Sequence, residues 1–240
     1  NVVAAIRFLR PEARNCLNIG LGTGAVPAAL GRQGIKVDVV EIDPAVVRFT
    51  QKYFDFAATG DVFIDDARAF LHATERRYDL VVHDTFTGGT TPEHLLSLEV
   101  LQRIHAILRP NGVVALNFVG YYDGVDAEAS RAVARTLRAV FAHVRAYRDS
   151  APDPTSPVGN IVFFASDSPL QFTIPPNTRF LSETTEKLVR GSAAWPVLEH
   201  VAAGAPITDA RNPLGRLQIP IAEKHYAAMN ELLPAEVWLN

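Results

Sequence analysis

The feature that most constrains the fold is a glycine-rich turn, Gly20-Leu-Gly-Thr-Gly24, at the end of an apolar stretch, Cys16–Gly20. An apolar run that ends in glycines and continues into a helical pattern is typical of the first strand, turn and helix of a nucleotide-binding α/β fold. Gly20 permits the tight turn, Gly22 lets backbone approach a ligand, and Gly24 allows close packing where the helix begins. The helix N-terminus then offers N–H groups to an anion. A plain strand–helix turn without a ligand is the alternative.

Strand and helix patterns alternate from this turn onward, which predicts a parallel sheet with right-handed crossovers. The predicted strands are Cys16–Gly20, Lys36–Ile42, Val62–Ile64, Tyr78–His83, Val113–Phe118, Val144–Tyr147 and Ile161–Ala165. The predicted helices are 2–9, Gly24–Leu30, Pro44–Tyr53, Ala67–Thr74, Glu93–Leu108 and Ala127–Phe141. A Pro-rich turn joins the last two strands without a helix, so they are expected to be antiparallel neighbours. The pattern predicts an α/β, class I methyltransferase-like (Rossmann-like) seven-stranded sheet with an antiparallel last strand.

The pattern changes after Ser166. Short helical pieces without strands follow, at Glu183–Val189, Ala194–Val201 and Ala222–Leu232. We therefore expect a Rossmann-like nucleotide-binding domain over residues 1–166 and a helical C-terminal appendage, residues 167–240, packed on the same domain. Trp195 and Trp238 in this appendage could supply an interface for a homodimer.

Charge and composition exclude several classes of function. The net charge of −3 leaves no basic footprint, so no nucleic-acid partner is expected. One cysteine, Cys16, excludes an internal disulfide and a cysteine metal cluster, and no metal is expected. The single thiol suits a reducing cytoplasm, and no apolar run approaches the ~18 residues of a membrane span. The chain starts at Asn1, inside a predicted helix. The sequence therefore leaves open whether a further element precedes it in the full-length protein.

Acidic residues follow the second and third predicted strands, where ligands of open α/β sheets lie. Glu41 could accept both ribose hydroxyls of a nucleotide. Asp65 or Asp66 could accept from an adenine amino group, with the Ala67 N–H facing a ring nitrogen. The alternatives are a strand-end charge at Glu41 and helix capping by one acid of the pair. Asp43 has a sufficient structural role as the N-cap before Pro44.

Asp84 ends the fourth predicted strand, beside the point where the strand order reverses. A carboxylate there is a candidate general base or an anchor for a substrate cation, and capping of the following loop is the alternative. The loop residues Thr85, Phe86 and Thr87 could close over an acceptor. Tyr121, after the fifth predicted strand, could line the same pocket or serve loop packing.

Over about residues 12–166 the sequence resembles the spermidine synthase family, the polyamine aminopropyltransferases of the class I methyltransferase-like superfamily. The segments that carry the resemblance are Gly20–Gly24, Val40–Pro44, Asp65–Leu71, Tyr78–Asp84, Pro92–Leu95 and Asn160–Phe164. The resemblance implies a pocket for S-adenosylmethionine or its decarboxylated form as cosubstrate. By position, the resemblance implies that Glu41 holds the ribose and that Asp66 holds the adenine. It also implies that Asp84 matches the family's catalytic aspartate, which helps take a proton from the attacking amine.

The sequence departs from this family at three points. Thr23 stands where the family carries an aspartate that pairs with the propylamine cation of decarboxylated S-adenosylmethionine. Thr87 stands where the family has a second acid in the catalytic loop, and loss of a hydrogen bond to a charged group costs on the order of 1.5–3 kcal/mol. The small β-domain that usually precedes the fold is absent from this chain. The segment Asp84–Leu95 looks more like spermidine-synthase-like proteins attached to bacterial membrane domains than like the dedicated enzymes.

The first hypothesis is therefore a spermidine synthase-like transferase that moves an aminopropyl or methyl group to an amine-type acceptor, with Asp84 as base or orienting group. The family favours aminopropyl, whereas Thr23 and Thr87 favour methyl and a non-polyamine acceptor. A non-catalytic nucleotide-binding module that regulates an attached or partner domain is a second hypothesis. A nicotinamide-dependent oxidoreductase is a third, because Ala25 completes a looser dinucleotide pattern.

Overall fold

The computed structural model describes residues 2–153, 155–176, 178–180, 183–191 and 195–232. Within them the strands are β1 Asn15–Ile19, β2 Lys36–Glu41, β3 Val62–Ile64, β4 Tyr78–His83, β5 Leu108–Tyr121, β6 His143–Arg148, β7 Val158–Ser166 and β8 Pro196–Val197. The helices are α1 Ile6–Leu9, α2 Ala25–Gly31, α3 Pro44–Tyr53, α4 Ala67–Ala73, α5 Leu98–Ile107, α6 Glu128–Arg138, α7 Glu183–Val189, α8 Leu214–Leu217 and α9 Ile219–Leu232. No described helix combines the length and apolar character needed to cross a bilayer.

The strands form one mixed sheet in the order β3-β2-β1-β4-β5-β7-β6-β8. The five strands from β1 to β5 are mutually parallel, and β7 pairs antiparallel with both β5 and β6. This confirms the predicted α/β class I methyltransferase-like fold. Ile19 at the end of β1 stands level with Val40 on one side and His83 on the other. The turn after β1 therefore lies between the carboxyl ends of β2 and β4.

The sheet has one strand more than the seven predicted, because β8 pairs antiparallel with β6. The expectation of a strand-free appendage is thus wrong, and so is the predicted helix Ala194–Val201 from Trp195 onward. The Arg148 N–H donates to the Trp195 carbonyl at 3.0 Å, and Pro196 is tolerated because β8 is an edge strand. Ala194 and Trp238 lie outside the described residues.

The predicted helix Glu93–Leu108 is also divided. A 3₁₀ turn covers Glu93–Leu95, and α5 begins only after Ser97, whose hydroxyl accepts from the Val100 N–H at 3.4 Å. A serine N-cap inside an apolar periodic segment starts a new helix at that point. The following strand β5 runs further than predicted, because antiparallel pairing with β7 continues to its last residue.

The apolar core has two layers, one on each face of the sheet. On one face Leu101 and Ile104 of α5 pack with residues of α4 and α6. On the other face Ile6 of α1 and Leu30 of α2 belong to a second apolar cluster. Residues after Ser166 contribute to both layers. The carboxyl ends of the parallel strands β1, β2 and β4 line a cleft.

Candidate functional site

A cleft of about 330 Å³ opens at the carboxyl edge of β1, β2 and β4. Its volume lies at the small end of the range for ligand pockets. Three predicted carboxylate residues from three different strand ends line it, namely Glu41, Asp65 and Asp84. The glycine turn contributes Gly20, Gly22 and Thr23. The tertiary fold therefore gathers residues that lie as far apart in the sequence as Asn18 and Pro92.

Gly20 lines the cleft, and its backbone lies against the backbone of Asp84. Its φ of +86° lies in the left-handed region, and a Cβ atom there would collide with the Asp84 carbonyl oxygen. The Asp84 N–H donates to the Ile19 carbonyl at 2.9 Å. Glycine is therefore required at this position both for its conformation and for the close approach of the two strand ends.

Gly24 has a different role from the rest of the turn and is not among the residues that line the cleft. Its φ is +74°, and a Cβ atom there would press against Phe56 and Thr50. Thr50 in turn donates its hydroxyl to the Gly22 carbonyl at 2.6 Å. Gly24 thus allows the close packing that holds the turn on α3.

Glu41 is a buried carboxylate that holds the turn in place. One oxygen accepts from the Leu21 N–H at 2.8 Å and the other accepts from the Asp43 N–H at 3.0 Å. Each carboxylate oxygen can accept more than one hydrogen bond, so capacity remains for a ligand hydroxyl. Asp43 itself caps α3 by accepting from the Ala45 N–H at 2.7 Å.

The two acids after β3 differ in position. Asp66 is the N-cap of α4 and accepts from the Ala69 N–H at 2.9 Å. Asp65 and Ala67 line the cleft, whereas Asp66 is not among the residues that line it. The pair therefore divides into one acid that faces the cleft and one that begins a helix.

Substitution of each acid by alanine should separate the two roles. We expect Asp66→Ala to lower the free energy of unfolding by about 1 kcal/mol through loss of the cap, measured by urea denaturation. We expect Asp65→Ala to weaken nucleotide binding, measured by calorimetry. Weakened binding in Asp66→Ala alone would instead assign the adenine contact to Asp66.

Asp84 is a half-buried carboxylate. The Asn117 amide donates to its Oδ1 at 2.9 Å. Burial raises the pKa of the Asp84 carboxyl, the Asn117 hydrogen bond opposes this rise, and the charge of Asp149 adds to it. A carboxylate with a raised pKa in a cleft is suited to accept a proton.

The loop after Asp84 forms the outer side of the cleft through Thr85, Phe86 and Thr87. The Thr87 N–H donates to the Thr90 carbonyl at 2.9 Å, which closes a tight turn around Gly88 and Gly89. Tyr121 is not among the lining residues, and its carbonyl accepts from the Ser130 hydroxyl at 2.8 Å. The structure therefore brings the loop, but not Tyr121, to the cleft.

Two residues that influence Asp84 were missed in the sequence. Asn117 is a polar residue inside the apolar run of β5, and this interruption was the signal available for it. Asp149 follows β6, the seventh strand in the sheet order, and nothing in the local sequence indicates that its charge acts on Asp84. The antiparallel pairing of β6 with β7 sets the end of β6 at the same edge of the sheet as the end of β5.

Comparison with known proteins identifies relatives of two kinds. An N-terminal histidine N-methyltransferase of Emericella nidulans is 32% identical over 251 aligned residues, which cover 93% of this chain and 43% of that protein. A polyamine aminopropyltransferase of Vibrio vulnificus is 31% identical over 188 residues, which cover 75% of this chain and 58% of that protein. The chain thus spans about half the length of these curated relatives.

A solved structure and a family profile agree with these relatives. The crystal structure of a probable spermidine synthase from Corynebacterium glutamicum superposes with a TM-score of 0.64 at 21% identity, over 86% of this chain and 79% of that one. It shows the shared fold. The profile of the spermine/spermidine synthase domain matches residues 3–171, which include every strand end that forms the cleft. The chain belongs to the spermine/spermidine synthase domain family.

Proposed function

We propose that the chain is a transferase that binds S-adenosylmethionine in the cleft and moves its methyl group to an amine-type nitrogen. The observation that carries this proposal is the contact between Gly20 and Asp84. The contact is made by the Asp84 backbone, and Asp84, the candidate proton acceptor, lines the same cleft as the glycine turn and Glu41. A donor nucleotide and an acceptor nitrogen could therefore meet at one point.

The residues present in the cleft fit a sulfonium nucleotide. Glu41 would hold the ribose hydroxyls, and Asp65 with the Ala67 N–H would meet the adenine. None of the described residues that line the cleft is a lysine, arginine or histidine, while three are acids. Such a surface favours a ligand with positive charge, which both S-adenosylmethionine and its decarboxylated form carry on sulfur. When bound, the nucleotide supplies an electrophilic carbon next to a positively charged sulfur.

Asp84 is the group through which the chain would act on the acceptor. Its carboxylate orients the acceptor N–H and takes the proton as the new N–C bond forms and the C–S bond breaks, with the bonding electron pair passing to sulfur. Asn117 holds the Asp84 carboxylate in place through its amide. Alignment of the nitrogen with the carbon supplies much of the rate.

Methyl transfer is preferred over aminopropyl transfer because of two threonines. Thr23 and Thr87 both line the cleft and carry no charge, so neither can pair with a propylamine or polyamine cation. The match to the N-methyltransferase also reaches across the C-terminal region, beyond the family domain. Aminopropyl transfer is the second candidate, supported by the family profile and by the aminopropyltransferase relatives.

Calorimetric titration with both nucleotides tests the proposal. We expect S-adenosylmethionine to bind more tightly than its decarboxylated form, and Thr23→Asp to shift the preference toward the decarboxylated form by placing a carboxylate beside the propylamine. Product analysis then uses putrescine and a peptide with an N-terminal histidine as acceptors. Tighter binding of the decarboxylated form by the unmodified chain, with spermidine as product, would establish aminopropyl transfer instead.

A regulatory nucleotide-binding module predicts a different result. It would bind a nucleotide, give no product with any acceptor, and bind equally well after Asp84→Asn. The oxidoreductase hypothesis is disfavoured by the antiparallel end of the sheet, and NAD at millimolar concentration is expected to leave the melting temperature unchanged.

A further inference from the structure

Gln218, between α8 and α9, makes a paired contact with the loop that follows Asp84. Its amide nitrogen donates to the Thr91 carbonyl at 3.0 Å, and its amide oxygen accepts from the Thr91 N–H at 2.9 Å. The Gln218 residue is only 1% exposed. One side chain thus satisfies both backbone groups of a buried loop residue that is 127 positions away.

The same part of the chain supports the tip of the loop. The Phe86 ring, which lines the cleft, meets the His225 ring edge-on with a centroid distance of 5.4 Å. At Gly89 a Cβ atom would lie 3.5 Å from the Ala222 backbone, so α9 packs directly on the turn. Helix α9 therefore packs against the loop that forms the outer side of the cleft.

This segment, residues 207–225, is attached to helices of the core by hydrogen bonds and an ion pair. The Leu98 N–H at the start of α5 donates to the Ile207 carbonyl at 2.7 Å. The Ile207 N–H donates to the Thr136 hydroxyl of α6 at 2.9 Å. Asp209 pairs with Arg68 of α4. The segment thus links the loop to three helices of the core.

We propose that Gln218 is a positioning residue for the acceptor loop, and that His225 holds Phe86 as the acceptor-side wall. This proposal rests on the proposed function. Its consequence is that acceptor selection depends on residues outside the family domain, which ends at residue 171. A shared nucleotide site could then serve different acceptors, according to the segment that supports the loop.

The test compares Gln218→Met, which keeps the length of the side chain without its hydrogen bonds, with Asn212→Ala. Asn212 donates to the Glu93 carbonyl at 2.8 Å from the same segment but outside the loop. We expect Gln218→Met to raise the acceptor KM about tenfold, the equivalent of ~1.4 kcal/mol, and to leave nucleotide affinity within twofold. Amide hydrogen exchange at Thr91 should become faster. We expect Asn212→Ala to change neither the KM nor this exchange.

His225→Ala provides an independent variant, since that side chain is half-exposed and its loss does not open the core. It should raise the acceptor KM in the unmodified chain and have no further effect in Phe86→Ala. If Gln218→Met does not fold, this pair decides the proposal. An unmodified chain without transferase activity would overturn both proposals. An active chain whose acceptor KM is unaffected by these substitutions would overturn the positioning role alone.

Discussion

Asp84→Asn is expected to lower kcat by about 10²–10⁴-fold, the usual contribution of a positioned general base. The variant retains an oxygen that can accept from Asn117, so the local hydrogen bond and nucleotide affinity should persist. The loss should therefore fall on kcat in steady-state kinetics, with little change in calorimetric nucleotide affinity. A kcat within threefold of the unmodified chain would remove Asp84 from the chemistry.

The same variant should be at least as stable as the unmodified chain. Burial raises the pKa of Asp84, so the folded state favours the protonated carboxyl. The charged form therefore opposes folding as pH rises through the raised pKa, and this penalty disappears below the unfolded pKa of about 3.9. At pH 7 we expect the melting temperature of Asp84→Asn to be equal or higher, and the difference to vanish in acid.

The pH–rate profile gives a further control on this assignment. If deprotonated Asp84 accepts the proton, the acid limb of kcat/KM should lie above the ordinary pKa of an aspartate. Asp149→Asn removes a charge that raises this pKa. It should move the acid limb to lower pH, with a smaller effect on kcat than substitution of Asp84 itself.

Glu41→Ala is expected to weaken nucleotide binding by about two orders of magnitude. Its carboxylate would meet two ribose hydroxyls, and a hydrogen bond to a charged group contributes about 1.5–3 kcal/mol, where 1.4 kcal/mol corresponds to tenfold in affinity. The variant should also be less stable, because the Leu21 and Asp43 N–H groups lose their acceptor. Calorimetry and urea denaturation measure the two effects separately.

Asp43→Ala is the matched control for this prediction. Asp43 lies two residues away and caps α3 without lining the cleft. Its removal should lower the free energy of unfolding by about 1 kcal/mol and leave nucleotide affinity unchanged. Equal losses of affinity in both variants would mean that Glu41 acts only through the shape of the turn.

Much of the parallel half of the fold could be predicted from local patterns. β3 and β4 have the predicted bounds, because each is a short run with β-branched and aromatic residues that turn residues delimit. The start of α5 was missed because Ser97 interrupts an otherwise continuous helical period. β8 was missed because a two-residue edge strand depends on its partner β6 rather than on its own sequence.

By itself, the sequence determined the order of the first seven strands and of the helices between them, the glycine turn and the carboxylates at the strand ends, because periodicity and turn residues are local properties. Only the tertiary structure decided which acid after β3 lines the cleft, that Asn117 donates to Asp84, and that Gln218 hydrogen-bonds the loop after Asp84. These relations join residues far apart in the chain. They arise from strand pairing and helix packing, which local propensities do not specify.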